Sequence, residues 1–561
     1  MNGGERSWWW IAALALAAIQ IPVLGRAGSD ASQSDFANYY TPARVIAGGG
    51  DLGGLYDRDT FAAAMTEAGL SGLGSFIPHP PANALWLLPL SSLSPPAAKT
   101  SWTLILVAAM ALTAFALAGA NPGIDLPRAA VIVLAPTLAV RNGLAFGQPY
   151  LILAAFLAWG LLALDRKREL LAGLFLGLGV SFKPYALGLG LLFLARDRRR
   201  VLAGFITGAL LPSAVVLGIA GREPFVEFGT KVLPWMLRGE IQDPFSPVWG
   251  SVSALANRLF RYEPDLNPAP LIMAPRVARF VGTMGSTMLL ALGVLVGRRA
   301  IRSGRDADAV AVMIAFSLAA SPFTASYHLA LLSVTVAVVA RGLSNTGLTF
   351  AVLGFGFLGS PAINAFRGAS GLLAPLAFSR LFGLVALCLF ASRRFLDRRL
   401  VGVALLAGVL AGGLSLREEE TPERWPRVES ARGYSMMRPY FCGENLRWLS
   451  PSPDGRTLES RGEGLDCAPR PAEASSGKGV SVVSSFAAGS FNLYLREEGR
   501  PDVQLTRSRA NEVDPALAPD GCSVVFASDQ GRGLGSTALY RLDLSPLIAR
   551  CAERARSSRP R

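Results

Sequence analysis

Asp35, His79, Lys183 and His328 lie in short polar turns beside long apolar stretches, and they are residue types that move protons or hold anions. His79 and His328 are the two histidines of a 561-residue chain. A carboxylate within hydrogen-bond reach of a hydroxyl can take its proton as a bond forms at the oxygen. Lysine, arginine and histidine can bring charge or N–H donors to a developing anion. Desolvating such groups among apolar helices is costly unless they are paired or watered, so they are functional candidates by default.

Each also has a plainer reading. Asp35, in S34DFANYY40, can cap the helix that follows or sit in solvent with Asp30, Asp51, Asp57 and Asp59. Lys183, in F182KPY185, can snorkel to an interface, Arg141 can be a simple helix-end residue, and His79 can be packing alone. Gln148, in F146GQPY150, can bind a ligand hydroxyl or bond the frayed helix end before Pro149. Tyr39 and Tyr40 form an aromatic pair just after Asp35. The loop 221–278 carries P234WM236 and D243PFSPVWG250, aromatics suited to ring stacking or, more simply, to anchoring at a lipid surface. No metal is expected, since two distant histidines and scattered aspartates give no ligand spacing. The chain has no Walker-type phosphate loop and no Gly-rich dinucleotide turn, so no cofactor is expected and a nucleotide donor is disfavoured.

Membrane helices must position these residues. The chain is 51% hydrophobic and 17% charged, with mean hydropathy +0.38, where soluble domains carry about a quarter charged residues. A hydrocarbon core of about 30 Å takes roughly 20 residues of helix, fewer where the helix is broken or re-entrant. Apolar runs at 8–24, 98–120, 129–141, 149–164, 170–195, 201–220, 279–297, 308–341, 346–362, 374–392 and 400–416 supply them. The runs 170–195 and 308–341 are each read as two passes, turning at F182KPY185 and S321PFTASYH328. W8WWIAALALAAIQIPVLG25 opens on three tryptophans and reads as an uncleaved first helix.

The formal net charge of +14 reports topology and not a nucleic-acid partner, because the basic residues gather in short loops between apolar runs. R166KR168, R196DRRR200, R298RAIR302, Arg341 and R393RFLDRR399 can all share the cytoplasmic side. The expected fold is therefore a polytopic α-helical membrane protein of about 13 transmembrane helices, with the N-terminus inside. Loop 25–97, R141NGLAFGQPY150 and the other polar turns then fall together on the extracytoplasmic side. The competing topology keeps 170–195 as one helix and flips the basic loops after it.

Composition changes at R417EEETPERWPR427 and stays polar to Arg561, dividing the chain into a membrane domain, 1–416, and a small β-rich extracytoplasmic C-terminal domain, 417–561. L449SPSPDGRTLES460 and P515ALAPDGCSVVFASD529 each run from x-P-D-G into an alternating apolar strand. These segments resemble the blade repeats of TolB-like β-propellers over roughly 440–545, about two blades, fewer than the typical four to eight that close a propeller. Cys442, Cys467, Cys522 and Cys551 lie where disulfides are permitted, with pairing open, and Cys388 reads as a small core residue.

In order along the chain, D35FANYY40, L55YD57, P78HPPANALWLLPL90, F146GQPY150, K183PY185 and S321PFTASYH328 resemble glycosyltransferase family 87, polytopic enzymes of the GT-C superfamily that use polyprenyl-phosphate sugars. The resemblance runs over about 30–400 and rests on the order of six pieces. It departs at His79, where family members often carry Tyr or Phe before Pro-Pro. It implies inverting transfer of a hexose, commonly mannose, from a polyprenyl-phosphate sugar to a hydroxyl of a glycolipid or glycan acceptor on the outer face of the cell membrane. Asp35 would be the base, with Lys183, Arg141, His328, Gln148, His79, Tyr39 and Tyr40 around the donor's phosphate and sugar. The lipid phosphate can leave without a strong general acid, since a phosphate monoester's last ionisation has a pKa of about 6. Two other classes stay open: a transporter or flippase of a lipid-linked sugar, and an inactive membrane anchor for a propeller-like binding domain.

Overall fold

A computed structural model of the chain describes residues 3–26, 31, 35–71, 74–183, 187–194, 198–238, 243–417, 425–428, 431, 435–451, 458–462, 467, 480–487, 490–497, 499–508, 510–532, 536–548 and 551. They divide into two compact units. The first comprises Met1–Phe228, Ser246–Arg261 and Ala269–Arg417, and the second Gly229–Phe245, Tyr262–Pro268 and Glu418–Arg561. Two pieces of the loop 221–278 thus join the C-terminal residues in the second unit.

Among the described residues of the first unit, five helices are long and apolar enough to cross a membrane: Ser7–Leu24, Pro95–Ala120, Arg199–Ala220, Pro275–Arg302 and Arg398–Ser415. The pairs Leu126–Leu134 with Thr137–Phe146, bent by 70°, and Gly371–Ala377 with Ser379–Ser392, bent by 55°, raise the total to as many as seven. Tyr150–Asp165, Glu169–Ser181, Ser326–Val339 and Asn345–Leu358 are shorter apolar helices. The expected count of about 13 spans is not reached among the described residues, where several apolar helices, Tyr150–Asp165 and Asn345–Leu358 among them, fall short of roughly 20 residues. The two runs read as double passes do break near the expected turns: 170–195 becomes Glu169–Phe182 and the six-residue Leu187–Leu192, and 308–341 is interrupted at Ser321 between Asp306–Ala320 and Ser326–Val339.

The breaks follow from local chemistry. Asp125 accepts from Arg128 N to cap Leu126–Leu134, and Pro136 begins a new direction at Thr137. Thr137–Phe146 stops at Gly147, whose φ of +69° is a left-handed conformation that glycine adopts without strain.

Helices Glu169–Phe182 and Arg199–Ala220 cross through glycine. A Cβ on Gly173 or Gly177 would collide with the backbone at Val201 or Phe205, and one on Gly204 or Gly208 with the backbone at Leu170 or Leu174. Small residues four apart on both helices let the two backbones touch. That contact fixes the rod whose C-terminal end delivers Lys183.

The basic loops are tied to one another: Arg198 pairs with Asp306 at 3.1 Å, Arg305 with Asp308 at 3.2 Å, and Arg299 with Asp397. Arg341 donates to Asn121 Oδ1 and Ala120 O, each at 2.6 Å. The polar turns are tied separately. Asn142 Nδ2 donates to Ser326 Oγ at 2.7 Å, Thr324 N to Trp249 O at 2.9 Å, and Arg380 Nη1 to Val248 O at 3.0 Å. Exposed apolar side chains such as Leu104, Phe115, Leu210, Phe350 and Leu410 suit a lipid-facing surface.

The second unit holds three antiparallel sheets of three strands: β1 (Met437–Cys442), β2 (Asn445–Pro451) and β3 (Leu458–Gly462); β4 (Val480–Ala487), β5 (Ser490–Glu497) and β6 (Val503–Gln504); β7 (Glu512–Leu517), β8 (Ser523–Ser528) and β9 (Ala538–Asp543). Alternation along β5 and β8 buries Leu493, Leu495, Val524 and Phe526 in one apolar cluster. The resemblance to propeller blade repeats is not confirmed, since the described strands make small, separate three-stranded sheets with no closed ring among the described residues. The second Pro-Asp-Gly turn is a true hairpin, with Gly521 at φ +71° and Ala518 N donating to Ser523 O at 2.8 Å. The first, within 452–457, lies outside the described residues. Cys442 pairs with Cys467 and Cys522 with Cys551, while Cys388 is a buried free thiol in the first unit.

Candidate active site

The helix Ala37–Ala47 has Phe36 as its N-cap and no side-chain capping bond, so the Asp35 carboxylate is not engaged in capping. Its Oδ2 accepts from Gln148 Nε2 at 2.6 Å, and Gln148 Oε1 in turn accepts from the Tyr39 hydroxyl at 2.9 Å. Asp35 is partly exposed, and among the described residues its Oδ1 accepts no hydrogen bond. Among the described residues, the Gln148 side-chain amide thus bonds Asp35 and Tyr39.

Local geometry places each partner. Tyr39 and Tyr40 are adjacent on a helix and so point about 100° apart. Tyr39 turns to Gln148, while Tyr40 donates to Leu93 O at 2.6 Å, beside an Arg44 Nη1 bond to Ser91 O at 2.7 Å. Tyr40 thus fastens the helix and is not joined to Asp35. Gln148 follows the left-handed Gly147, its own N–H donating to Gly143 O at 2.9 Å.

A cationic wall faces this pair. Lys183 Nζ lies 3.3 Å from His79 Nδ1, and the His79 ring packs on Tyr39 with centroids 4.6 Å apart. Tyr56 donates to His79 O at 2.7 Å and holds the segment in place. Burial first, and the Lys183 charge second, hold the His79 pKa well below the usual imidazole range. The ring is therefore neutral, and Nδ1 takes the accepting role toward the ammonium. Asp35, Gln148, Tyr39, His79 and Lys183 form one continuous set of contacts. Burial raises the Asp35 pKa above the ordinary carboxylate value, and the Gln148 bond, then Lys183, then Lys99 pull it back.

His328 joins the same region through a different residue of F146GQPY150. Its ring meets Tyr150 edge-on at 4.3 Å and Tyr327 at 4.8 Å, and its Nδ1 lies 3.2 Å from Ala325 O. Asp35 acts electrostatically on Tyr327, and Lys183 on His328. Two residues apart in sequence, Gln148 touches the acid and Tyr150 touches the histidine. Arg141 is exposed on Thr137–Phe146 and is not among the joined side chains. Pro184 and Tyr185 of K183PY185 lie outside the described residues.

Three residues here were not singled out by sequence. Lys99, fully buried in Pro95–Ala120, donates to Ala145 O at 2.9 Å and lies 5.5 Å over the Phe36 ring. Trp102, one turn on, donates from Nε1 to Gly147 O at 2.8 Å. Arg380, buried at the start of Ser379–Ser392, acts electrostatically on His328. A lysine inside a 26-residue apolar helix was the available signal for Lys99. The described residues hold no cluster of three or more His, Cys, Asp or Glu suited to a metal ion.

The family model described as Glycosyltransferase family 87 matches residues 76–322. Over that stretch, which includes His79, Lys99, Gln148 and Lys183, the chain is similar to a family of glycosyltransferases, and the match together with the apolar helices indicates a membrane-embedded transferase. No curated protein and no solved structure matches the chain.

Proposed function

We propose that the protein is an integral-membrane, inverting glycosyltransferase that moves a hexose, with mannose the first candidate, from a polyprenyl-phosphate sugar to an acceptor hydroxyl on the extracytoplasmic face. The observation that carries this reading is Asp35: a carboxylate oriented by a single amide donor, with its other oxygen unbonded among the described residues and an ammonium close by. The family match over residues 76–322, which takes in Gln148 and Lys183 but begins after Asp35, supports a glycosyl substrate.

In this reading the acceptor hydroxyl donates to Asp35 Oδ1. As its oxygen bonds to the anomeric carbon, the carbon–oxygen bond to phosphate breaks on the opposite face. The electron pair leaves with the polyprenyl phosphate, and the hydroxyl proton ends on Asp35. A single displacement inverts the anomeric centre. A carboxylate pKa raised toward the working pH makes Asp35 a stronger base, and transfer is lost as pH falls through that raised value. Lys183, as a cation, and His328, as a ring N–H donor, are assigned to the leaving phosphate. The paired cysteines of the second unit are consistent with an oxidising, extracytoplasmic setting for that unit, where it can meet an acceptor or partner.

The direct test is transfer from a labelled polyprenyl-phosphate hexose by Asp35→Asn. Transfer at the wild-type rate would sink the assignment. Glycolipid profiling of cells with and without the protein names the donor sugar and acceptor through the species that disappears.

A further inference from the structure

We infer that Lys99 and Trp102 form a clamp on the end of Thr137–Phe146 that positions Gln148, and through it the Asp35 carboxylate, for proton transfer. The inference rests on the reading of Asp35 as the base.

The two side chains are one turn apart on Pro95–Ala120 and so project to the same face. Lys99 Nζ reaches Ala145 O at 2.9 Å and Leu144 O at 3.4 Å, and Trp102 Nε1 reaches Gly147 O at 2.8 Å. Leu144 O and Ala145 O lie in the last turn of the helix and Gly147 O just past it, where intrahelical donors run out, although Leu144 O also accepts from Gly147 N at 3.2 Å. The fit at Gly147 is close: a Cβ there would lie 2.7 Å from Lys99 Nζ, 3.0 Å from Phe36 Cβ and 3.4 Å from Trp102 Cδ1. Phe36 and Gln148 are the chain neighbours of Asp35 and Gly147, so the clamp grips both segments that meet at the 2.6 Å bond between Asp35 and Gln148. A side chain fully buried in an apolar helix, with its ammonium aimed at carbonyls, is costly to maintain unless it holds something in place.

Lys99 has a second consequence. Its charge acts on Asp35 together with that of Lys183, and the Asp35 charge acts in turn on Tyr327 of the 321–328 turn. Both cations favour the ionised carboxylate, so removing Lys99 shifts Asp35 titration to higher pH. Trp102 carries no charge and acts only through geometry.

The test compares K99M, W102F and D35N, purified in detergent, with a synthetic polyprenyl-phosphate mannose as donor and folded protein quantified by gel filtration. A misplacement on the order of 1 Å costs about 100-fold, so K99M and W102F should each lower kcat by about 10- to 100-fold per folded molecule, with donor KM little changed. K99M should also move the acid limb of kcat/KM to higher pH, by more than W102F does. Wild-type kcat in either variant overturns the clamp. So does K99M activity that falls only in proportion to folded protein with its acid limb unmoved, the outcome of a purely structural role. If K99M is not recovered folded, the kcat of W102F decides. Transfer retained by D35N instead overturns the base assignment, a separate failure.

Discussion

Buried or half-buried acids are treated in two opposite ways, one shown by the second unit and the other by Asp35. In the second unit Glu263 and Asp265 are held by two arginines: Arg532 Nη1 lies 2.8 Å from Glu263 and 3.0 Å from Asp265, and Arg427 pairs with both. Glu512, fully buried, accepts from the hydroxyls of Ser508, Thr506 and Ser528. In the first unit Asp35 has one amide donor among the described residues, and the cations that act on its charge, Lys183 and Lys99, are themselves bonded to other acceptors. An acid whose oxygens are saturated by donors is structural, because it has no lone pair to offer a substrate. An acid steered by one donor, with its charge balanced from a distance, keeps the capacity to accept a proton. Burial of charge alone does not mark a catalytic site; the number of committed donors separates the two cases.

That contrast can be broken from either side. The largest effect is expected at Asp35→Asn, which should lower transfer by about 100- to 10,000-fold while leaving the protein folded, read as product per folded molecule. Arg532→Met leaves Glu263 and Asp265 short of a partner. It should cost the second unit about 3–5 kcal/mol, seen as a lower unfolding midpoint, with kcat of the remaining folded protein unchanged. Were R532M to lose turnover without losing stability, the second unit's acids would belong to the chemistry. Gln148→Leu removes the one donor to Asp35 and the acceptor for Tyr39. A hydrogen bond to a charged group is worth about 1.5–3 kcal/mol, so kcat should drop by about 10- to 100-fold. The Gln148 bond lowers the Asp35 pKa, so its loss raises that pKa and the acid limb of the pH profile should move upward. The smallest effect is expected at His328→Phe, which preserves ring contacts with Tyr150 and Tyr327. Loss of one polar contact to the donor should raise its KM by about fivefold.

Much of the site was legible because apolar surroundings make polar residues conspicuous. Asp35, Gln148, His79 and Lys183 each interrupt or flank an apolar run, and the structure joins them into one set. Tyr40 was grouped with Tyr39 by adjacency, yet helical rotation separates neighbours, and only Tyr39 reaches Gln148. Lys99 went unmarked because a lysine near the start of a span reads as an interfacial residue until the carbonyls it meets, some 45 residues later in the chain, are known. The membership of Tyr262–Pro268 in the second unit was equally hidden. It depends on Arg427 and Arg532 returning from more than 160 positions away, and no local periodicity carries that information. Hydropathy found the apolar runs but could not tell a full crossing from a broken one, since both satisfy the same composition.

The glycine crossing of Glu169–Phe182 with Arg199–Ala220 bears on how such a site can evolve. Backbone lies against backbone there, so no side chain can be trimmed or enlarged to slide one helix along the other. Lys183, at the end of one of those helices, keeps its depth across any drift in sequence that preserves the fold. In the proposed reading, a lineage adopting a bulkier or differently shaped sugar would make room at Tyr39, Gln148 or Tyr150, which meet their neighbours through side chains and not main chain. Specificity could then wander at those positions while the cation stays where it is.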